Sequence, residues 1–309
     1  MTKARFLLSV TNDDNDYQIE QVTSARLAAS KAGVDLEIVC AQDDGILQSQ
    51  QLLNRIQSTV DPRPNAILFE PAGSTVLPQV ARAAGSAGIG WVLLSRDADY
   101  LNELRMMYRV PAFVVTADHE EIGRIQGRQL AALLPRGGVV VYIQGPSQSL
   151  AAKQRYVGIL ETKPESVQLR VIKAHWTESS SRKAVTAWLS LSTSRGTQIA
   201  AVCAQDDSMA MGARKAFEES AHDLRQAWLK IPFLGCDGMP KTGQEWVRRG
   251  LLTATVFSPP TAGMAIDLLA GFIGKGTMPP VRTLTETRSI PDIRDLERKA
   301  RTDFSPPRP

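Results

Sequence analysis

From Ile199 to Ala204 every residue is apolar, and the run stops abruptly at Gln205-Asp206-Asp207-Ser208. A strand-length run without alternation suits a strand covered on both faces, as in a parallel α/β sheet. The polar residues that follow are helix N-cap types, and Met209, Met211, Ala213, Ala216 and Phe217 continue as a helix with one apolar side. Two carboxylates therefore stand at the carboxyl end of a buried strand, the place where open α/β sheets bind ligands. One is expected to cap the helix and the other to face a cleft.

The same order of elements recurs along the chain. Residues 6–10 read as a strand, 12–17 as a polar loop, and Ile19, Val22, Ala25, Leu27, Ala28 and Ala29 as a helix that Gly33 terminates. Strands follow at 36–41, 66–69 and 90–94, with helices at 46–60 and 76–87. Four successive β–α alternations require right-handed crossovers and a parallel sheet. No element is read between Ser95-Arg96-Asp97 and residue 112, where the pattern restarts. The second series has strands at 112–115, 139–143, 167–174, 199–204, 231–235, 252–257 and 283–288. Helices at 120–134, 151–160, 181–191, 244–249 and 261–273 alternate with them; 292–301 reads as a short helix and 304–309 as disordered. Residues 65–97 and 198–237 share one plan, which suggests two lobes with a ligand at their strand ends. The repeat of Cys-Ala-Gln-Asp-Asp at 40–44 and 203–207 is read as coincidence, since it falls on the second strand of one unit and the third of the other.

A chain of 309 residues has room for two such units. Its formal charge of +4 is small, and the basic residues are dispersed rather than clustered with aromatics, which argues against nucleic-acid binding. Arg294, Arg298, Lys299 and Arg301 read as a solvated helix face. The odd count of three cysteines, Cys40, Cys203 and Cys236, in apolar settings suggests buried free thiols. No apolar run is long enough to insert in a membrane. The stretch after Met1-Thr2-Lys3-Ala4-Arg5 is too short for a signal h-region, so the expected location is cytoplasmic, or periplasmic if a signal precedes Met1. Neither a G-x-S-x-G elbow nor a phosphate-binding glycine loop occurs. His119, His175 and His222 are scattered, and no second histidine follows His119-Glu120 at metal spacing. An enzyme reading is left without nucleophile, metal or cofactor.

Strand carboxyl ends carry Asn15, Tyr17, Ser95, Arg96, Gln144, Trp176, Asp206, Asp237 and Ser258, and Arg155 lies just inside a helix that begins at such an end. Planar Asn, Asp and Arg groups grip neighbouring hydroxyls two at a time, and aromatic faces cover the C–H side of a sugar ring. This mixture suits a neutral polyhydroxylated ligand. Trp176, between His175 and Thr177, reads as a ring platform. Arg96 and Arg155 balance Asp206 and Asp237, and an anion entering a low-dielectric site would meet two acids.

At these residues the chain resembles the type I periplasmic binding proteins, nearest the ribose-binding group and the effector-binding core of Lac-repressor-type regulators. The likeness covers about residues 4–290. It rests on Asn15-Asp16-Tyr17, Ser95-Arg96, Gln144-Gly145, Arg155-Tyr156-Val157-Gly158, Gly235-Cys236-Asp237-Gly238 and, most diagnostically, the stretch from Ala204 to Ala213. The resemblance implies two Rossmann-like α/β lobes joined by a three-strand hinge. The lobes would comprise 1–116 with 259–282 and 117–258 with 283–291, followed by a tail at 292–309. It implies that Asn15, Tyr17, Ser95, Arg96, Arg155, Trp176, Asp206, Asp237 and Ser258 contact the ligand, with Arg96, Arg155 and Asp237 as hydroxyl grips and Trp176 over the ring. Ser95 stands where aspartate is common, Asp16 where proline is, Gln18 where an aromatic is, Asp206 in place of a frequent asparagine and Ser258 in place of a glutamine. The implied activity is capture of a small sugar or polyol by hinge closure, without cofactor, for an ABC permease. The alternative is a cytosolic sensor or regulator core lacking its DNA-binding segment.

Overall fold

The computed structural model describes residues 3–73, 75–191, 197–221 and 225–303, with side chains up to residue 300. The chain forms two compact units, Met1–Ala117 with Pro260–Thr285 and Asp118–Pro259 with Glu286–Pro309, so it passes from one to the other three times.

The first unit holds β1 (Arg5–Val10), β2 (Asp35–Cys40), β3 (Ala66–Phe69), β4 (Gly90–Leu94), β5 (Ala112–Ala117) and, from its later segment, β11 (Arg282–Thr285). They form one sheet in the order β11-β5-β4-β3-β1-β2, all pairs parallel. Every residue of β3, β4 and β5 is buried, because helices cover both faces. On one face Leu7, Ile67, Trp91 and Val114 pack with residues of α2 (Gly45–Gln57), α3 (Pro78–Ser86) and α4 (Leu101–Tyr108). On the other, Phe6, Leu8, Leu68 and Val92 meet the alanine-rich sides of α1 (Asp16–Ala32) and α11 (Thr261–Lys275). Successive strand residues thus serve opposite cores.

The second unit repeats the plan with β6 (Gly138–Gln144), β7 (Val167–Lys173), β8 (Ile199–Ala204) and β9 (Phe233–Leu234) in the parallel order β7-β6-β8-β9. A short antiparallel pair, β10 (Thr255–Phe257) with β12 (Arg288–Ile290), adjoins β9 through bridges at Leu234 with Ala254 and Asp237 with Phe257. Val202 and Ala204 pack toward α7 (Glu178–Leu189) and α8 (Asp207–Glu219), whereas Ala201 and Cys203 pack toward α5 (His119–Leu133) and α6 (Leu150–Thr162). Two short helices, α9 (Arg225–Trp228) and α10 (Gly243–Arg248), lie between β8 and β10 in the chain. The stretches read as similar, 65–97 and 198–237, are the third and fourth strands of each unit with the helical segment between them, one helix in the first unit and α8 followed by the short α9 in the second.

Three sequence expectations need correction. The single strand expected at 283–288 is two, because the chain leaves one unit after Thr285 and β12 pairs in the other. Residues 101–108, read as no element, form α4, whose Leu101 and Leu104 are buried while Met106 and Met107 are exposed and blur the helical period. The tail set apart at 292–309 includes α12 (Ile293–Asp303), whose Leu296 enters the core of the second unit beside Leu130 and Tyr142. Arg294, Arg298 and Lys299 do lie on the solvated face of that helix, and Cys203 and Cys236 are buried free thiols, Cys40 half-buried. The side chain of Arg301, the fold around Ser74 and His222, and residues 304–309 lie outside the described part. Among the described residues no helix is long and apolar enough to cross a membrane.

Backbone proximity between α5 and α6 depends on two glycines. A Cβ on Gly123 would lie 2.0 Å from the carbonyl oxygen of Arg155, and one on Gly158 would lie 1.9 Å from that of Glu120. Neither backbone can give locally, since each is helical. Gly123→Ala is expected to destabilise the protein by roughly 1–3 kcal/mol through overpacking. Gly271→Ala in α11, where a Cβ meets nothing within 4 Å, should be neutral or stabilising by up to about 1 kcal/mol. Chemical denaturation of both variants decides; equal effects would show that the α5–α6 approach imposes no constraint.

Candidate functional site

In each sheet the chain reverses direction of progression between two central strands, β1 and β3 in the first unit and β6 and β8 in the second. At such a switch point the loops leave to opposite sides and open a crevice beyond the strand ends. Asn15, Tyr17 and Asp206 follow strands at these two points, whereas Ser95 and Arg96, Trp176, Asp237 and Ser258 follow β4, β7, β9 and β10.

In the first unit, Asn15 caps α1, its Oδ1 accepting from the amides of Tyr17 at 2.9 Å and Gln18 at 3.4 Å. Asp16, in the first turn, meets the positive end of the helix. Tyr17 is half-buried in the same turn. Gln18, where the resemblance leads one to expect an aromatic, is buried; it accepts from the Thr11 amide and donates to Glu70 Oε2 at 3.0 Å. Gln21 donates to the same oxygen at 3.3 Å and also ties Thr261 and Ala262 at the start of α11. At the end of β4, Ser95 adopts a left-handed φ of 62°. Arg96 donates through Nη1 to the Gly73 carbonyl at 2.5 Å. Burial lowers the pKa of that guanidinium and the charge of Glu70 opposes the shift. Glu70 was missed in the sequence, although it too ends a strand. It adds a carboxylate to the balance of Arg96 and Arg155 against Asp206 and Asp237 read there.

In the second unit Arg155, Asp237 and Trp176 come together. Arg155 projects from α6, with its side chain only 9% exposed. Its Nη1 donates to the Gln205 carbonyl and lies 3.9 Å from Asp237 Oδ1. Its guanidinium carbon sits 5.6 Å from the centre of the Trp176 ring, a cation–π distance. Burial works against the charge, but Cys236, Asp237 and Asp206 outweigh it, so the pKa is raised and the cation is kept. Nε is buried and has no acceptor among the described residues. The Trp176 ring lies against Gly145, where a Cβ would come within 2.3 Å of it. The ring also packs on the core beneath, so it is part of the unit's structure as well as a possible platform. Ser258 is buried, and its amide donates to the Asp237 carbonyl at 3.0 Å.

Gln144 and Gln205 are structural clasps. Gln144 donates to the Ala152 carbonyl at 3.4 Å. Gln205 donates to Tyr142 at 2.7 Å and to the Ala152 carbonyl at 2.8 Å, and accepts from the Gly145 amide at 2.9 Å. From α5, Gln126 donates to the carbonyls of Ala204 and Gly235, which fixes the ends of β8 and β9 side by side.

The two adjacent aspartates divide their work differently from the expectation that one would cap and the other face a cleft. Asp206 does cap α8, accepting from the Met209 amide at 2.5 Å. Asp207 points inward at 3% exposure, accepting from Thr255 Oγ1 and from the Gly238 amide, both at 2.7 Å. Its side chain leaves the helix start because β10 and the loop after β9 supply donors there.

A family model described as a periplasmic binding protein domain matches residues 6–275. The chain belongs to the periplasmic binding protein family. Its two α/β units with parallel sheets are those of the type I, ribose-binding-like branch. The galactofuranose-binding protein YtfQ of Escherichia coli is 25% identical over 298 residues, covering 94% of this chain and 90% of that protein. The ribose import binding protein RbsB of Bacillus subtilis is 26% identical over 253 residues, 82% of this chain and 75% of that one. Among solved structures, a galactofuranose binding protein superposes with a TM-score of 0.79 at 23% identity, covering 97% of this chain and 99% of that one. An ABC transporter periplasmic solute binding protein from Actinobacillus succinogenes with bound D-allose gives 0.78 at 22%, covering 96% and 100%. These structures share the fold.

The inward carboxyl of this periplasmic binding protein has a measurable signature. Burial pushes the pKa of Asp207 well above the ordinary carboxylate value; the charge of Asp237 adds to the shift, while the bonds from Thr255 and Gly238 oppose it. Folded chains then keep a proton that unfolded chains lose above a pKa of about 3.9. Stability from this group therefore falls as pH rises through the window between the ordinary and the raised value. Asp207→Asn removes the titration, so its melting temperature should gain on that of the wild type as pH is raised above about 4. A difference between the two that stays constant with pH would show that Asp207 is ionised throughout.

Proposed function

We propose that this chain is a solute-binding protein that captures a small neutral sugar or polyol by closure of its two units, for ABC-type uptake. The observation that carries the reading is the grouping of Arg155 from α6 with Asp237 and Trp176 from strand carboxyl ends, in a chain of this family. A fixed guanidinium and carboxylate grip adjacent hydroxyls, and the indole face covers a ring's C–H side. The relatives' names point the same way: one is a galactofuranose-binding protein and another a ribose import binding protein. Asn15, Tyr17, Ser95 and Arg96 are the contacts proposed from the first unit, with Asp206 and Ser258 added from the second. A periplasmic location goes with the family, and the cytoplasmic expectation finds no support in it. The regulator alternative draws no support from these relatives either.

The charges favour a neutral ligand more strongly than the sequence suggested. Arg96 lies under the charge of Glu70 in the first unit, and Arg155 under those of Asp237 and Asp206 in the second, so neither unit carries an excess of positive charge at these residues. An anion at Arg155 would meet two acids against one cation at low dielectric. D-galactose and D-ribose are expected to bind at least about tenfold more tightly than D-galacturonate and ribose 5-phosphate, a difference of about 1.4 kcal/mol. Isothermal titration of the matched pairs tests this, and a preference for the acidic members would overturn the reading. Within the site, Trp176→Ala should weaken binding by roughly 1–3 kcal/mol, and Trp176→Phe by less. Asp206→Asn should be tolerated better than Asp237→Ala, because an amide still caps the helix and grips hydroxyls. Solution scattering with saturating sugar should report a smaller radius of gyration; an unchanged profile on tight binding would exclude closure.

A further inference from the structure

We infer that Asp207 is a positioning residue for ligand binding, which holds the Gly238 amide and so sets the backbone that presents Asp237. The inference rests on the proposed sugar site and adds to it a residue that touches no ligand. Asp237 has a left-handed φ of 97°, a conformation that a non-glycine residue keeps only where its surroundings over-determine it. The surroundings do so here. Its amide donates to the Val256 carbonyl at 2.9 Å, and its carbonyl accepts from Ser258 at 3.0 Å. The next residue, Gly238, is also left-handed, at a φ of 61°. Gly238 is held at both ends: Asp207 Oδ2 accepts its N–H at 2.7 Å, and Gln244 Nε2 donates to its carbonyl at 2.8 Å.

Of these restraints, Asp207 alone is a side chain reaching across from the strand that bears another candidate contact. It follows Asp206 directly, touches the neighbour of Asp237, and bonds through Oδ1 to Thr255, three residues before Ser258. One carboxyl therefore ties together the three strand ends that carry Asp206, Asp237 and Ser258. The slot it fills is shaped for it. A Cβ on Gly235 would lie 2.1 Å from Oδ1, and one on Gly243 would lie 2.0 Å from Oδ2, so larger side chains at these glycines would displace it. Both carboxyl oxygens are taken up, Oδ1 by Thr255 and Oδ2 by the Gly238 amide, so its influence on a sugar passes through Asp237.

Three variants separate positioning from plain stabilisation. Asp207→Asn keeps size and hydrogen bonding, with the amide oxygen accepting from Gly238 and the amide nitrogen donating to Thr255. Asp207→Ala releases Gly238. Thr255→Val removes only the second bond. Binding is read by calorimetry with D-ribose, D-galactose and D-allose, and loop retention by hydrogen exchange at the Gly238 amide. The asparagine variant should bind within about threefold of wild type, and the alanine variant about tenfold or more weaker, with faster exchange at Gly238. Thr255→Val should melt earlier while binding as wild type does. If the alanine variant does not fold, Asp207→Ser, too short to reach Gly238, replaces it. Unchanged affinity in the alanine or serine variant, or equal loss in Thr255→Val, overturns the inference. If wild type binds none of the three sugars, it is the sugar reading that fails. Exchange then decides on Asp207, and an unchanged Gly238 amide on its removal overturns the role.

Discussion

Burial of strands on both faces is the constraint from which the arrangement of each unit follows. A strand such as β4, buried at all five positions, has no side on which a polar side chain can meet water. Its backbone groups are satisfied by neighbouring strands and its side chains by two separate cores. Polar chemistry is then left to the loops where strands end. Parallel order puts the carboxyl ends of all strands of a sheet along one edge, so the residues leaving them become neighbours without being near in sequence. Asp206 and Asp237 are 31 residues apart and Arg155 comes from another helix again, yet the charge of each acid acts on that one guanidinium.

Holding a cation at such an edge requires more than an acidic partner. Arg155 is nearly excluded from solvent, and an isolated buried charge would be prohibitive. It is carried by a carbonyl, a carboxylate and an indole face arranged around it, with one nitrogen left without an acceptor among the described residues. Its anchoring helix is fixed in turn by the glycine contacts with α5. The same helix α5 holds the ends of β8 and β9 through Gln126. Position of the charged groups is thus a property of packing several residues away, which is how a site with few direct ion pairs stays ordered.

How much of this was legible depended on whether the signal was local. The β–α alternation, the strand-end loops and the Gly33 terminus were read from neighbouring residues, because periodicity and capping are local physics. The break of 283–288 into two strands was not, since nothing in Glu286-Thr287 marks a passage between units. The helix at 101–108 was lost because Met106 and Met107, both exposed, imitate an apolar side that does not exist. At the candidate site, Trp176 and Asp237 were singled out because they follow strand ends, and Arg155 because its helix begins at one. Glu70 satisfied the same criterion and was passed over as part of a loop; only the pairing with Gln18 and Gln21 shows that its carboxylate is held in place.

Asp206 and Asp207 mark the limit of sequence reading most sharply. They are chemically identical neighbours at a helix start, and either could accept the free amide of the first turn. Which one caps is settled by backbone conformation: Asp206 is extended, with a φ of −144° and ψ of 167°, which aims its side chain back over the turn. Asp207 is already helical, so its side chain points away from the axis, toward whatever the sheet places there. What the fold places there is Thr255, from a strand 48 residues further on, and the Gly238 amide, from a loop 31 residues further on. Two donors in a dry slot make an inward carboxyl tolerable, and they do so by restraining the loop beside Asp237. The assignment of roles to the pair is therefore fixed by tertiary partners, and the second aspartate matters for what it holds rather than for what it exposes.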